Sequence, residues 1–168
     1  MVREASEMGV SEFVETFGHV FEGSPWIAEN AWYRGLGARN DTAAGLHEAL
    51  CNEIRRASHE QKLELLRAHP ELGVAMGGRE LSESSRGEQL RSGLDACTPE
   101  EYAEFQRLNA RYREKFGFPF ILAIKGYHRR QILEIFRQRI EHGPEEEFQA
   151  ALAQVMKIGL FRLQELYE

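Results

Sequence analysis

The chain has 168 residues, 42% of them hydrophobic and 29% charged, with a formal net charge of −6. That size and balance suit one soluble globular domain with a continuous core, and the acidic excess argues against generic attraction to nucleic acid or an anionic membrane. No apolar run approaches the roughly 20 residues of a membrane span, the start "MVREASEMGVSEF" lacks the apolar segment of a secretory signal, and "LQELYE" is no peroxisomal ending, so the expected location is the cytoplasm.

Strict apolar–polar alternation is absent and the dominant period is helical. A first helix is predicted from Ser11 through "EFVETFGHVFEG", stopping near Gly23. Ser24 as cap and Pro25 in the first turn open a second over "WIAENAWYRG". A third runs from Thr42 to Ala57, and Ser58 with Gln61 forms a capping-box pattern before "HEQKLELLRA". From Pro70 to Glu83 the chain reads as a loop, with glycines at 73, 77 and 78, and another helix should start near Ser84 or Ser85. Thr98, Pro99 and Glu101 give the clearest helix start, and Gly117 the clearest stop. The stripe of this helix is Tyr102, Phe105, Asn109, Tyr112 and Phe116. "FGFPFILAIKG" reads as an irregular entry into a short helix, and "HRR" as a solvated start to the amphipathic "HRRQILEIFRQRIE". From Pro144 the last helix aligns Phe148, Leu152, Val155, Gly159, Leu163 and Leu166. The fold class is therefore all-α, a compact single-domain bundle over 1–168 of about seven to nine helices.

A few positions break this pattern. His69 stands before Pro70, which pushes it out of the α region, so the helix ends there with the imidazole beside its last carbonyls. That setting fits a capping histidine or one charged to donate a proton. Ser85-x-x-Glu88 is a capping-box pattern, or else a polar helix start, with Gln89, for an anionic or amide-rich ligand. Arg162 falls inside the apolar stripe of the last helix, where it needs an anion or several acceptors. Gly159 one turn earlier offers it room, and an internal salt bridge or a ligand would each satisfy it. Around Pro119 the backbone is freed from regular pairing and can read a flat heterocycle, or simply form a packed aromatic turn. His47, His59 and His128 show no metal-ligand spacing, and Cys51 and Cys97 read as core filler in a reducing compartment. The glycines around Ala75 do not form a phosphate loop.

Taken together, "SPWIAENAW", "LLRAHPELG", the Ser85-x-x-Glu88-Gln89 element and "GLDACTPEEYAEFQRLNARYREKFGFPFI" resemble the OHCU (2-oxo-4-hydroxy-4-carboxy-5-ureidoimidazoline) decarboxylase family of urate breakdown. The resemblance extends from Phe13 to Leu166. It implies an all-helical, usually dimeric enzyme without metal or organic cofactor that turns OHCU into (S)-allantoin. It also implies His69 as proton donor and Glu88 as its partner. Ligand contacts are implied at Pro70, at Ser85, Arg86, Gly87 and Gln89, along Phe120, Ile121, Leu122, Ala123 and Ile124, and at Arg162. A slight departure in loop spacing makes Ser84 the substitute for Ser85. The competing readings are a non-catalytic helical interaction module, a paralogue with another substrate, and a metal hydrolase, the last disfavoured by ligand spacing.

Overall fold

A computed structural model describes residues 2–73 and 81–168. The glycines at 77 and 78, and the phosphate-loop question around residue 75, lie outside the described residues. Among those residues there are eight α-helices and no strand. They are α1 Val10–Phe17, α2 Trp26–Arg34, α3 Ala43–Arg56, α4 His59–Arg67, α5 Glu83–Arg91, α6 Pro99–Phe116, α7 Arg129–Arg139 and α8 Pro144–Tyr167. None is long and apolar enough to cross a membrane. The chain groups into two units, Met1–Ala68 with Val155–Glu168, and His69–Gln154.

Short-range signals set most boundaries. The Thr42 hydroxyl accepts the Gly45 N–H at the start of α3, and Ser58 and Gln61 form the expected reciprocal box on α4. α4 ends at Arg67, so His69 is outside the helix, as its proline neighbour requires. On α6, Thr98 and Glu101 cap each other's backbone and Gly117 closes the helix at φ 81°, a left-handed turn.

Three starts or stops differ from expectation. α1 begins at Val10 after Gly9 and ends at Phe17, well before Gly23. Ser24 is buried and places no side-chain cap on α2; its hydroxyl donates to the Glu22 carbonyl at 3.4 Å. α5 is capped by Ser82, whose hydroxyl accepts the Ser85 N–H at 3.1 Å, so Ser85 is the third helical residue and opens no box with Glu88.

The core of the first unit is Phe13, Phe17, Ile27, Leu46, Leu50, Ile54, Leu65, Leu66 and Leu163. In the second unit, Tyr112 lies edge-on to Phe118, Phe120 and Phe136, and Phe120 stacks on Phe136 with centroids 3.9 Å apart. Cys51 is buried, and burial pushes its thiol up to about 11, so at neutral pH it is an inert apolar filler.

Candidate active site

α5, ESSRGEQLR, has the unusual face. Its buried residues are Ser85 and Gln89, one turn apart, while its one leucine, Leu90, is 49% exposed. A helix that turns hydroxyl and amide inward and leucine outward is not held by an apolar stripe; polar partners must hold it. Gln89 has them. Its Oε1 accepts the Gly73 N–H at 3.1 Å, and its Nε2 donates to the Glu71 carbonyl at 3.2 Å. Gln89 thus grips the turn that follows His69 and Pro70, both half-buried. Glu88, Gly87 and Ser84 are half-buried on the same helix, and Arg86 is exposed.

At its C-terminal end α5 is tied to the second expected contact segment. The hydroxyl of Ser92 donates to the Ile124 carbonyl at 3.1 Å, and its own carbonyl accepts the Arg129 N–H at 3.0 Å. Residues 119–124 are irregular throughout and buried, and they lead into a turn at Lys125–Gly126 instead of directly into a helix. Part of the backbone freed by Pro119 is taken up by side chains. Arg139 donates to the Ile121 carbonyl at 2.5 Å, and the Ala123 N–H donates to Gln154 at 3.0 Å. The Phe120 and Leu122 N–H and C=O groups, the Ile121 and Ile124 N–H and the Ala123 C=O make no hydrogen bond among the described residues.

Arg139 itself is buried against a carboxylate. Its Nε lies 2.8 Å from Glu147 Oε1, the Tyr112 hydroxyl donates to the same oxygen at 2.7 Å, and His142 Nδ1 meets Oε2 at 3.0 Å. The guanidinium also lies over the Phe120 ring, 4.6 Å from its centroid. Glu147 is fully buried, so the charge on Arg139 is what makes a carboxylate tolerable there. Burial and this carboxylate push the Tyr112 hydroxyl far above its ordinary pKa and keep it a donor. The "HRR" start is half engaged: His128 caps α7, and Arg129 pairs with Glu101 at 2.9 Å.

Arg162 belongs to the first unit. It is 5% exposed, as its place in the stripe demands, donating to the Val20 carbonyl at 3.1 Å and pairing with Glu22 at 3.1 Å. The internal salt bridge is therefore present. Gly159 makes room for another group: a Cβ there would meet the Phe21 ring at 2.6 Å. Among the described residues no three His, Cys, Asp or Glu side chains are grouped to hold a metal. His47 instead directs Nε2 to the Met156 carbonyl at 2.7 Å.

Asn109, Arg139 and Gln154 were not expected to matter here. Only Asn109 carried a signal, an amide in an otherwise apolar stripe.

The profile of the OHCU decarboxylase family matches residues 6–164. This chain belongs to that family. It is 41% identical to the 2-oxo-4-hydroxy-4-carboxy-5-ureidoimidazoline decarboxylase of Halalkalicoccus jeotgali, over 98% of this chain and 90% of that protein. Against the enzyme of the same name from Haloferax volcanii it is 36% identical, over 99% of this chain and 95% of the relative. Its fold matches a crystal structure of (S)-allantoin synthase with a TM-score of 0.75 at 31% identity, covering 96% of this chain and 52% of the other. Family membership therefore covers every element from α1 to nearly the end of α8, both the α5 face and Arg162 included.

Proposed function

We propose that this chain decarboxylates OHCU to (S)-allantoin in urate breakdown, as a carboxy-lyase that uses no cofactor. The carrying observation is the family match across residues 6–164, at 41% identity to a named decarboxylase. The family resemblance further suggests a homodimer working in the cytoplasm.

The substrate carries a carboxylate and a hydroxyl on one ring carbon, next to a C=N carbon bearing the ureido group. When the C–CO2 bond breaks, its electron pair enters that imine, so the substrate is its own electron sink. His69 then gives a proton to the ureido-bearing carbon on one face. The hydroxyl proton ends on the ring nitrogen and a ring carbonyl forms. Atoms and charge balance as one carboxylate and one proton giving CO2 and neutral allantoin.

In this reading Glu88 steers the imidazole and Arg162 anchors substrate oxygens by charge-assisted hydrogen bonds. Pro70, Ser85 (or Ser84), Arg86, Gly87, Gln89 and the backbone of Phe120 to Ile124 hold the ring and ureido arm. Alignment of the C–CO2 bond with the imine is what such fixing supplies. Two features support it: His69 is released from α4 just before a proline, and the Leu122 amide edge lacks a partner among the described residues.

The test is turnover of freshly generated OHCU against its spontaneous decay, with circular dichroism of the product. His69→Asn is expected to lower kcat by about 10²-fold or more and to abolish the (S) excess. Wild-type rate and (S) product from that variant would remove His69 as donor. Arg162→Met should lose most activity while still folding, with Glu22→Gln as the control that breaks the ion pair and keeps the arginine.

A further inference from the structure

The segment after His69 is held more tightly than a surface turn needs. α6 presents Phe105, Asn109 and Arg113, each one turn after the last, and these meet Gly73, Leu72 and Glu71 in reverse order. The Phe105 ring lies so close under Gly73 that a Cβ there would approach its Cγ to 2.9 Å, and Gly73 has φ 77°. Glycine is needed on both counts. Asn109 Nδ2 donates to the Leu72 carbonyl at 3.0 Å, and Arg113 pairs with the Glu71 carboxylate. From α5, Gln89 accepts from the Gly73 N–H and donates to the Glu71 carbonyl, which uses one lone pair and one N–H of its amide.

Gln89 and Asn109 are 2% and 4% exposed, so neither amide is a solvent-facing group. Asn109 also leaves its Oδ1 buried with no partner among the described residues. A side chain there for stability alone would not carry that penalty. What the two amides share is the three-residue base from which Pro70 and His69 project, and the ring of Pro70 restricts the one residue between.

We propose that Gln89 and Asn109 are positioning residues for the His69 proton donor, acting through the backbone of Glu71, Leu72 and Gly73. For Gln89 this stands beside the ligand contact that the family resemblance implied, since its amide has a second N–H and a second lone pair; for Asn109 it assigns a role where none was expected. The inference rests on His69 being the donor, as proposed above.

Enzyme variants Gln89→Met, Gln89→Glu and Asn109→Leu, each also combined with His69→Asn, separate the possibilities. Misplaced by a fraction of a bond length, the donor loses rate and facial control, while in Asn109→Leu the binding groups stay where they are. The expected result for Gln89→Met and Asn109→Leu is a kcat drop of about tenfold or more, with KM for Asn109→Leu within about threefold of wild type. Released allantoin should drift toward the racemate as solvent protonates both faces. Gln89→Glu keeps an acceptor for the Gly73 N–H and should fall between wild type and Gln89→Met. In the His69→Asn background the second substitution should add nothing to the kcat loss, because a residue that works through His69 has nothing left to position. A raised KM at unchanged kcat would overturn the proposal and leave Gln89 a ligand contact only. So would a kcat loss as large without His69 as with it, the mark of a general structural defect. If His69→Asn is itself silent, the donor assignment fails and takes this inference with it. If His69→Asn is crippled but Gln89→Met and Asn109→Leu are not, this inference alone fails.

Discussion

α5 and α6 follow one another in the chain and are built on opposite principles. α6 buries Phe105, Leu108 and Tyr112 and keeps its charges off that face, with a reciprocal cap at one end and a left-handed glycine at the other. α5 buries Ser85 and Gln89, exposes Leu90, and ends on a serine tied to the Ile124 carbonyl. An apolar face is satisfied by any close-packed neighbour, whereas a polar face is satisfied only by particular donors and acceptors. α6 is therefore a piece of core, and α5, in the proposed reading, a piece of the site. The one amide on the buried face of α6, Asn109, reaches the same turn that α5 holds.

This contrast predicts that damage to the two helices is felt in different measurements. Phe105→Ala should have the largest effect, about 3–5 kcal/mol of stability in a urea titration, because a fully buried ring is removed. A loss under 1 kcal/mol would mean that α6 is not the core element described. On α5, Glu88→Gln should lower kcat by about 10²-fold while leaving the denaturation midpoint unchanged, if the carboxylate steers a proton donor. A shifted midpoint with normal kcat would erase the distinction between the helices. The smallest effect concerns the α6 cap. The Thr98 backbone N–H, then Arg129, hold the Glu101 carboxyl down at about 2, against 4.5 when free. Since the folded value is the lower one, this carboxylate stabilises the fold above its unfolded pKa, and the contribution fades as pH falls from about 4.5 towards 2. Glu101→Gln should therefore cost about 0.5–1 kcal/mol at pH 7. The gap between variant and wild type should close near pH 2. A gap that persists there would assign the effect to packing instead of charge.

How much of this was legible depended on the range of the signal. The caps of α3, α4 and α6 were readable because donor and acceptor are three residues apart. The start of α5 was misjudged because Ser82, Ser84 and Ser85 are all competent caps. Local chemistry does not rank them; selecting Ser82 is what turns Ser85 and Gln89 inward together. Arg162 was recognised as buried from its place on the wheel, yet Glu22, its partner 140 residues away, left no trace in the pattern. Gly159 was read as room for Arg162, and the occupant is Phe21. Around Pro119 the sequence marked a backbone without regular pairing, but not that Arg139, Gln154 and Ser92 would each take up a group of it.

By itself, then, the sequence determined an all-helical chain, most of its helix limits, the release of His69 from α4, and the order of motifs that places it among the OHCU decarboxylases. Each of these follows from interactions within a turn or two of helix, or from the identity of residues along the chain. The tertiary structure alone decided which amides hold the backbone beside His69, which carboxylate neutralises Arg139, and which ring fills the space above Gly159. Those pairings join residues 8 to 138 positions apart. Burial makes them obligatory, because a polar group taken out of water must find a partner wherever the fold supplies one.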